Sequence, residues 1–124
     1  MSKALVVDDS RAMRIILSRT LAEFGFEVMQ AANGREALEI MDQKGGSISL
    51  VLLDWNMPEV TGIEVVEKLR AQEAFKAVRL VMVTTETEIE QMARALDAGA
   101  DEYLMKPFTR ESVEDKLRLI GVLP

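Results

Sequence analysis

Residues 50 to 62 read LVLLDWNMPEVTG: four apolar residues, Leu50 to Leu53, run straight into Asp54, and a Pro-containing turn comes next. An uninterrupted apolar run without alternation suits a strand covered on both faces, as in a parallel sheet flanked by helices. Such a strand carries Asp54 to the edge of the sheet, where Trp55, Asn56 and Met57 cannot neutralise a carboxylate. What meets that charge is decided by the ends of the other strands.

Working outward, four further apolar runs alternate with segments of helical period, and no repeat or long linker interrupts them. Lys3 to Asp8, Glu27 to Ala31, Leu50 to Leu53, Leu80 to Val83 and Tyr103 to Met105 read as strands. Between them, Met13, Ile16, Leu17, Thr20, Leu21 and Phe24 share one helical face, which Gly25 closes. Asn33 caps a helix bearing Ala37, Leu38 and Met41, ended by Gly45 and Gly46. Thr61 with Glu64 forms a capping box for a helix directing Ile63, Val66 and Leu69 inward, and Thr87 with Glu90 forms one for a helix on Ile89, Met92, Ala93 and Leu96, stopped at Gly99. Thr109 caps the last helix, with Glu111 in its first turn and Val113, Leu117 and Ile120 facing in. The first, third and fourth strands are continuously apolar and belong in the interior. The second alternates and the fifth is short, so both are edges. Right-handed crossovers that cover both faces then leave few orders for a doubly wound (βα)5 α/β fold, of which a parallel five-stranded sheet in the order 2-1-3-4-5 puts the first, third and fourth strands in the interior.

The chain has 124 residues and 48% hydrophobic content, enough for one domain, residues 1–124, with its own core. It has neither cysteine nor histidine, which excludes thiolate and imidazole chemistry and the metal sites built on them. A net charge of -6 with scattered Lys and Arg argues against nucleic acid as a partner. No segment approaches the roughly 18 apolar residues of a membrane span, and none resembles a signal peptide, so a cytoplasmic location and no membrane association are expected.

The strands end in turn at Asp8 and Asp9, at Asp54, at Thr84 and Thr85, and at Lys106 and Pro107, all on the carboxyl edge of the sheet where such folds bind ligands. Singly, these are common turn formers and caps. Together they bring three carboxylates to one point, where like charges repel and raise each other's pKa, so a positive charge belongs among them. An all-oxygen donor set suits a hard divalent cation, Mg2+ above all. A cation, the Lys106 ammonium and the Thr84 hydroxyl together suit a phosphoryl group. Asp54, at the middle strand, is the best-placed nucleophile and would form an aspartyl phosphate.

The motifs VVDDS, LLDWNMPEVTG, VMVTTE and DEYLMKPF resemble the receiver domain of two-component response regulators, most of all stand-alone chemotaxis regulators of the CheY type. The strand order 2-1-3-4-5 is the one that flavodoxin and CheY itself share. The resemblance implies that Asp54 is the phosphoacceptor, taking a phosphoryl group from the phosphohistidine of a histidine kinase. It implies an acid pocket of Asp8 and Asp9, with Asp9, Asp54 and the Asn56 backbone carbonyl as Mg2+ ligands. Thr84 would be the switch hydroxyl, Lys106 the site lysine, Tyr103 the switch aromatic, and the Lys106–Pro107 peptide cis. The readout face would be the fourth helix, fifth strand and fifth helix, with Ile89, Met92, Tyr103, Met105 and Lys116 as candidates. Output would go to a flagellar switch protein or to a histidine phosphotransfer domain, from a monomer that is a signalling phosphoacceptor rather than an enzyme acting on other substrates.

With only a helix and the tail Gly121 to Pro124 after Phe108, no DNA-binding or catalytic output domain is expected. A flavodoxin-like cofactor binder would need a Gly- and hydroxyl-rich loop where DDSRAM places two anions. An aspartate-nucleophile phosphatase would carry a second Asp where this chain has Asn56, which favours a longer-lived phosphorylated state. The only tryptophan, Trp55, is expected part exposed beside the metal site, as a fluorescence reporter. Asn56 and Glu86, each two residues beyond a site residue, are expected to flank the attacking water. Replacing either should alter the decay of phosphorylated protein without preventing its formation; unchanged decay after both replacements would refute this role.

Overall fold

The structure, a computed structural model, describes residues 2–55, 57–85 and 89–124, with the side chain of Ile89 outside the described set. The chain alternates β1 (Lys3–Val7), α1 (Arg11–Glu23), β2 (Glu27–Ala31), α2 (Gly34–Lys44), β3 (Ile48–Asp54), α3 (Gly62–Arg70), β4 (Arg79–Thr85), α4 (Ile89–Ala98), β5 (Glu102–Lys106) and α5 (Arg110–Leu119). Single 3-10 turns at Gly45–Ser47 and Glu73–Phe75 lead into β3 and β4, and the sequence pattern signals neither. All pairings are parallel and the order is β2-β1-β3-β4-β5, as the apolar runs imply. None of the described helices is long and apolar enough to cross a membrane.

Alternate residues of each strand feed separate cores, because successive side chains leave a strand on opposite faces. Leu5, Val7, Val51, Leu53, Leu80 and Met82 pack with Ala37, Met41, Val65, Val66, Leu69 and Ala95 from α2, α3 and α4. Ala4, Val6, Leu50, Leu52, Val81 and Val83 pack with Leu17, Leu21, Val113 and Leu117 from α1 and α5. Two-sided coverage explains the unbroken apolar runs. The helix ends read from sequence hold: Asn33, Thr61 and Thr109 accept from the backbone N–H three residues on, and Gly25 and Gly99 take positive φ. Ser10 caps α1 in the same way, although the pattern does not mark it.

Several inward assignments need correction. Ile16 and Leu96 are 49% and 43% exposed, and Ala93 is also exposed. In α1 the residues Leu17 and Leu21, four apart, meet the sheet, so Ile16 is turned about a quarter of the way round the helix from Leu17. In α3 Val65 is fully buried beside Val66, while Ile63 is only partly buried. The apolar stripes are wider than the surface the sheet can cover. The Thr87 capping box lies outside the described residues.

Gly62 begins α3 directly beneath the end of β3. A Cβ there would collide with the Asp54 carbonyl and would lie 2.8 Å from Met82 Cε and 3.1 Å from Trp55 Cα. The Gly62 N–H donates to the Trp55 carbonyl at 3.1 Å, so this close approach is hydrogen-bonded. Backbone on that side cannot yield cheaply. Gly62→Ala should therefore lower unfolding free energy by about 1–3 kcal/mol in urea titration, the usual cost of overpacking; an unchanged midpoint would show that the strand end adapts.

Candidate functional site

Asp8 comes directly after β1, Asp54 closes β3, Thr84 and Thr85 close β4, and Lys106 closes β5. The β4–β5 register sets Thr85 opposite Lys106 and Thr84 opposite Met105, while Asp54 lies opposite Val83. The sheet thus assembles at one edge the residues that the sequence places far apart. Oxygens of Asp8, Asp9 and Asp54 all lie within 4.8 Å of one another. Asp8 and Asp54 are buried at 1% and 8% exposure, Thr84 is also buried, and Asp9 is exposed.

Lys106 Nζ lies 3.4 Å from Asp8 Oδ2 and 3.4 Å from Asp54 Oδ1, so one ammonium serves two buried carboxylates. Asp8 Oδ1 accepts from the Ser10 N–H at 2.8 Å. Burial pushes the Asp54 carboxyl above its ordinary range; the Asp8 carboxylate adds to that push, Lys106 opposes it, and Asp9 raises it a little further. Three carboxylates against one ammonium leave negative charge in excess, which is what a bound cation would relieve. The donors are all oxygen and include an exposed member through which an ion can enter, so they fit a hard metal cation.

The Thr84 hydroxyl donates to the Thr85 carbonyl at 3.2 Å. The Lys106–Pro107 peptide is cis, as the family resemblance implied. Tyr103 is half-buried, pairs with Met82, and packs against the core under α3 and α4. Since Thr84 is two residues beyond Met82, strand alternation puts Thr84 and Tyr103 on the same sheet face. Asn56 and Glu86 lie outside the described residues, as does the Ile89 side chain. On the expected readout face, Met105 is 42% exposed and Lys116 partly so, but Met92 is buried at 8% and cannot belong to an exposed patch. Leu96, expected in the core, is exposed instead on that helix. Trp55 is likewise buried at 7%, because its backbone is pinned between Val83 and Gly62 by hydrogen bonds of 3.1 Å each.

One site residue escapes a reading of the sequence. Arg14 Nη1 donates to the Asp8 backbone carbonyl at 2.6 Å, fixing the turn that carries the acidic pair. The available signal is a cation near the start of a helix whose first turn has no acidic residue, contrary to the usual dipole preference.

This architecture is shared with known proteins. Residues 4–118 match the response regulator receiver domain. The chain is 41% identical over 119 residues to chemotaxis protein CheY1 of Helicobacter pylori (strain J99), covering 95% of each chain. It is 40% identical over 116 residues to a chemotaxis protein CheY homolog of Campylobacter jejuni, covering 93% of this chain and 88% of the homolog. The solved structure of Vibrio cholerae chemotaxis protein CheY4 superposes with a TM-score of 0.89 at 38% identity, covering 97% of this chain and 98% of that one. The chain belongs to the response regulator receiver domain family, whose members are signalling proteins.

The raised Asp54 pKa has a stability consequence. A carboxyl that binds its proton more tightly when folded contributes stability that is complete below its unfolded pKa and is lost as pH rises through the folded value. Asp54→Asn removes that buried charge. The variant should resist urea better than the parent at about pH 7, with the advantage shrinking at about pH 4, because the raised pKa lets the parent carboxyl take up its proton sooner as pH falls. An advantage of equal size at both pH values would remove the burial of charge as its cause.

Proposed function

We propose that this chain is a phosphorylation-dependent messenger in chemotaxis: Asp54 takes a phosphoryl group from the phosphohistidine of a histidine kinase with Mg2+ in the acid pocket, and the modified protein binds the flagellar motor switch. The observation carrying this reading is the placement of Asp54, at the end of the central strand within 3.4 Å of the Lys106 ammonium and beside two further carboxylates. The Helicobacter and Campylobacter relatives, chemotaxis proteins by name and matched over nearly their whole length, support the pathway.

Asp8, Asp9, Asp54 and the Asn56 carbonyl are the groups that would hold Mg2+, Asp9 and Asp54 directly. When bound, the cation supplies positive charge to the carboxylates and to an incoming phosphoryl oxygen. The chain's own groups do the rest. An Asp54 carboxylate oxygen attacks phosphorus, the bond from phosphorus to the donor nitrogen breaks with its electron pair returning to that nitrogen, and the imidazole leaves neutral, keeping the proton already on its other ring nitrogen. Lys106 meets the charge that develops on the phosphoryl oxygens. Water later cleaves the acyl phosphate to restore Asp54 and inorganic phosphate, at a rate set by Asn56 and Glu86. The protein thus catalyses its own modification and its reversal, and takes no other substrate.

Output arises from a difference in affinity between two states. The Thr84 hydroxyl, now bound to the Thr85 carbonyl, would turn to the phosphoryl oxygen, and Tyr103 on the same sheet face would move into the vacated space. Leu96 on α4 and Met105 on β5 supply exposed apolar surface for the partner. The protein would work as a monomer in the cytoplasm.

Incubation with acetyl phosphate and Mg2+ should give a phosphoryl adduct by mass spectrometry, absent from Asp54→Ala and absent when Mg2+ is chelated. Phosphorylated protein should bind a flagellar switch peptide more tightly than unphosphorylated protein does. Transfer to a histidine phosphotransfer domain without switch binding would instead make it a relay intermediate, and an adduct that survives Asp54→Ala would overturn the phosphoacceptor assignment.

A further inference from the structure

Glu102 and Lys116 form an ion pair that the phosphoryl chemistry does not use. Lys116 Nζ, from α5, lies 3.4 Å from Glu102 Oε1, and the Glu102 side chain is only 14% exposed. The same Glu102 oxygen accepts from the Tyr103 N–H at 3.0 Å. The Lys116 ammonium also stands over the Tyr103 ring, 4.5 Å from its centroid. Tyr103 belongs to β5, the edge strand, and its ring packs on the α3 and α4 side, whereas α5 covers the other face. The lysine therefore reaches round the open edge of the sheet to an aromatic ring on the far side.

We propose that Lys116 is a positioning residue for Tyr103: tethered by Glu102, its ammonium holds the ring where it now lies and opposes the displacement that accompanies phosphorylation. This rests on the phosphorylation switch of the proposed function. An ammonium is drawn to the face of an aromatic ring, and the attraction strengthens where solvent is partly excluded. Lys116 cannot follow a departing ring without leaving Glu102, whose largely buried carboxylate would then lose its cation. The ring position described is the one that accompanies a Thr84 hydroxyl committed to the backbone at Thr85. The contact thus favours the unphosphorylated arrangement and raises the threshold for activation.

The single tyrosine makes this measurable, because fluorotyrosine labelling yields one fluorine NMR resonance. Beryllofluoride with Mg2+ serves as the phosphoryl mimic, its binding followed by Trp55 fluorescence. Without beryllofluoride, the Lys116→Met resonance should be displaced from the wild-type position toward that of the beryllofluoride-bound wild type. Its apparent Kd for beryllofluoride should fall about two- to fivefold, the range expected for loss of one cation–π contact. Glu102→Gln should act in the same direction, and Lys116→Arg should restore wild-type values. Wild-type resonance and affinity in Lys116→Met would overturn the proposal while leaving the phosphoacceptor reading intact, and so would an arginine variant that behaves like the methionine one. A wild type with no Asp54-dependent response to beryllofluoride would overturn both.

Discussion

Two carboxylates buried at the carboxyl edge of the sheet, Asp8 and Asp54, share one ammonium, Lys106, and the arrangement of the site depends on that imbalance. Neighbouring parallel strands lie roughly 4.8 Å apart, so residues ending β1 and β3 bring their oxygens to a distance at which one cation can contact both. Lys106 comes from β5, with β4 intervening, and only a long flexible stem bridges that gap. A carboxylate pair held this way is undercompensated, and burial already raises the Asp54 pKa. The site is thereby suited to accept positive charge and, with it, a group that carries oxygen anions.

The same sheet that gathers the charges also links them to the surface. Thr84 and Lys106 end adjacent strands, and Tyr103 lies three residues before Lys106 on β5 and on the same face as Thr84. Under the proposed function, a change at Asp54 would reach the surface through one pair of strands. Around Tyr103 the restraint comes from the opposite face, through Lys116 and Glu102. Arg14 plays a comparable supporting part at the other side of the site, where its hydrogen bond to the Asp8 carbonyl steadies the turn after β1.

Much of this is legible in the sequence because strand ends in a two-sided α/β sheet point to one place. The unbroken run Leu50 to Leu53 and the alternation of strands with helices constrain the strand order once right-handed crossovers cover both faces of the sheet, and the glycine stops at Gly25 and Gly99 mark where helices end. Helix faces are less legible. A stripe containing Met13, Ile16, Leu17 and Leu21 is apolar over a wider arc than the sheet covers, so the pattern cannot separate Leu17 from Ile16. On α4, Met92 is buried and Leu96 exposed for the same reason: which side of the helix meets α3 and β5 depends on its rotation, and rotation is set by packing. Trp55 reads as a loop residue and is buried because the start of α3 folds back against the end of β3.

The sequence by itself narrowed the strand order to a few, 2-1-3-4-5 among them, and determined the residue types at each strand end and hence the oxygen-only chemistry, since these derive from periodicity and from what each strand delivers to the edge. Tertiary structure alone decided that Lys106 divides itself between Asp8 and Asp54, that Arg14 holds the Asp8 carbonyl, and that Lys116 reaches Tyr103 round the sheet edge. Those contacts join residues from different elements, and their distances depend on strand register and helix rotation, which no local pattern encodes.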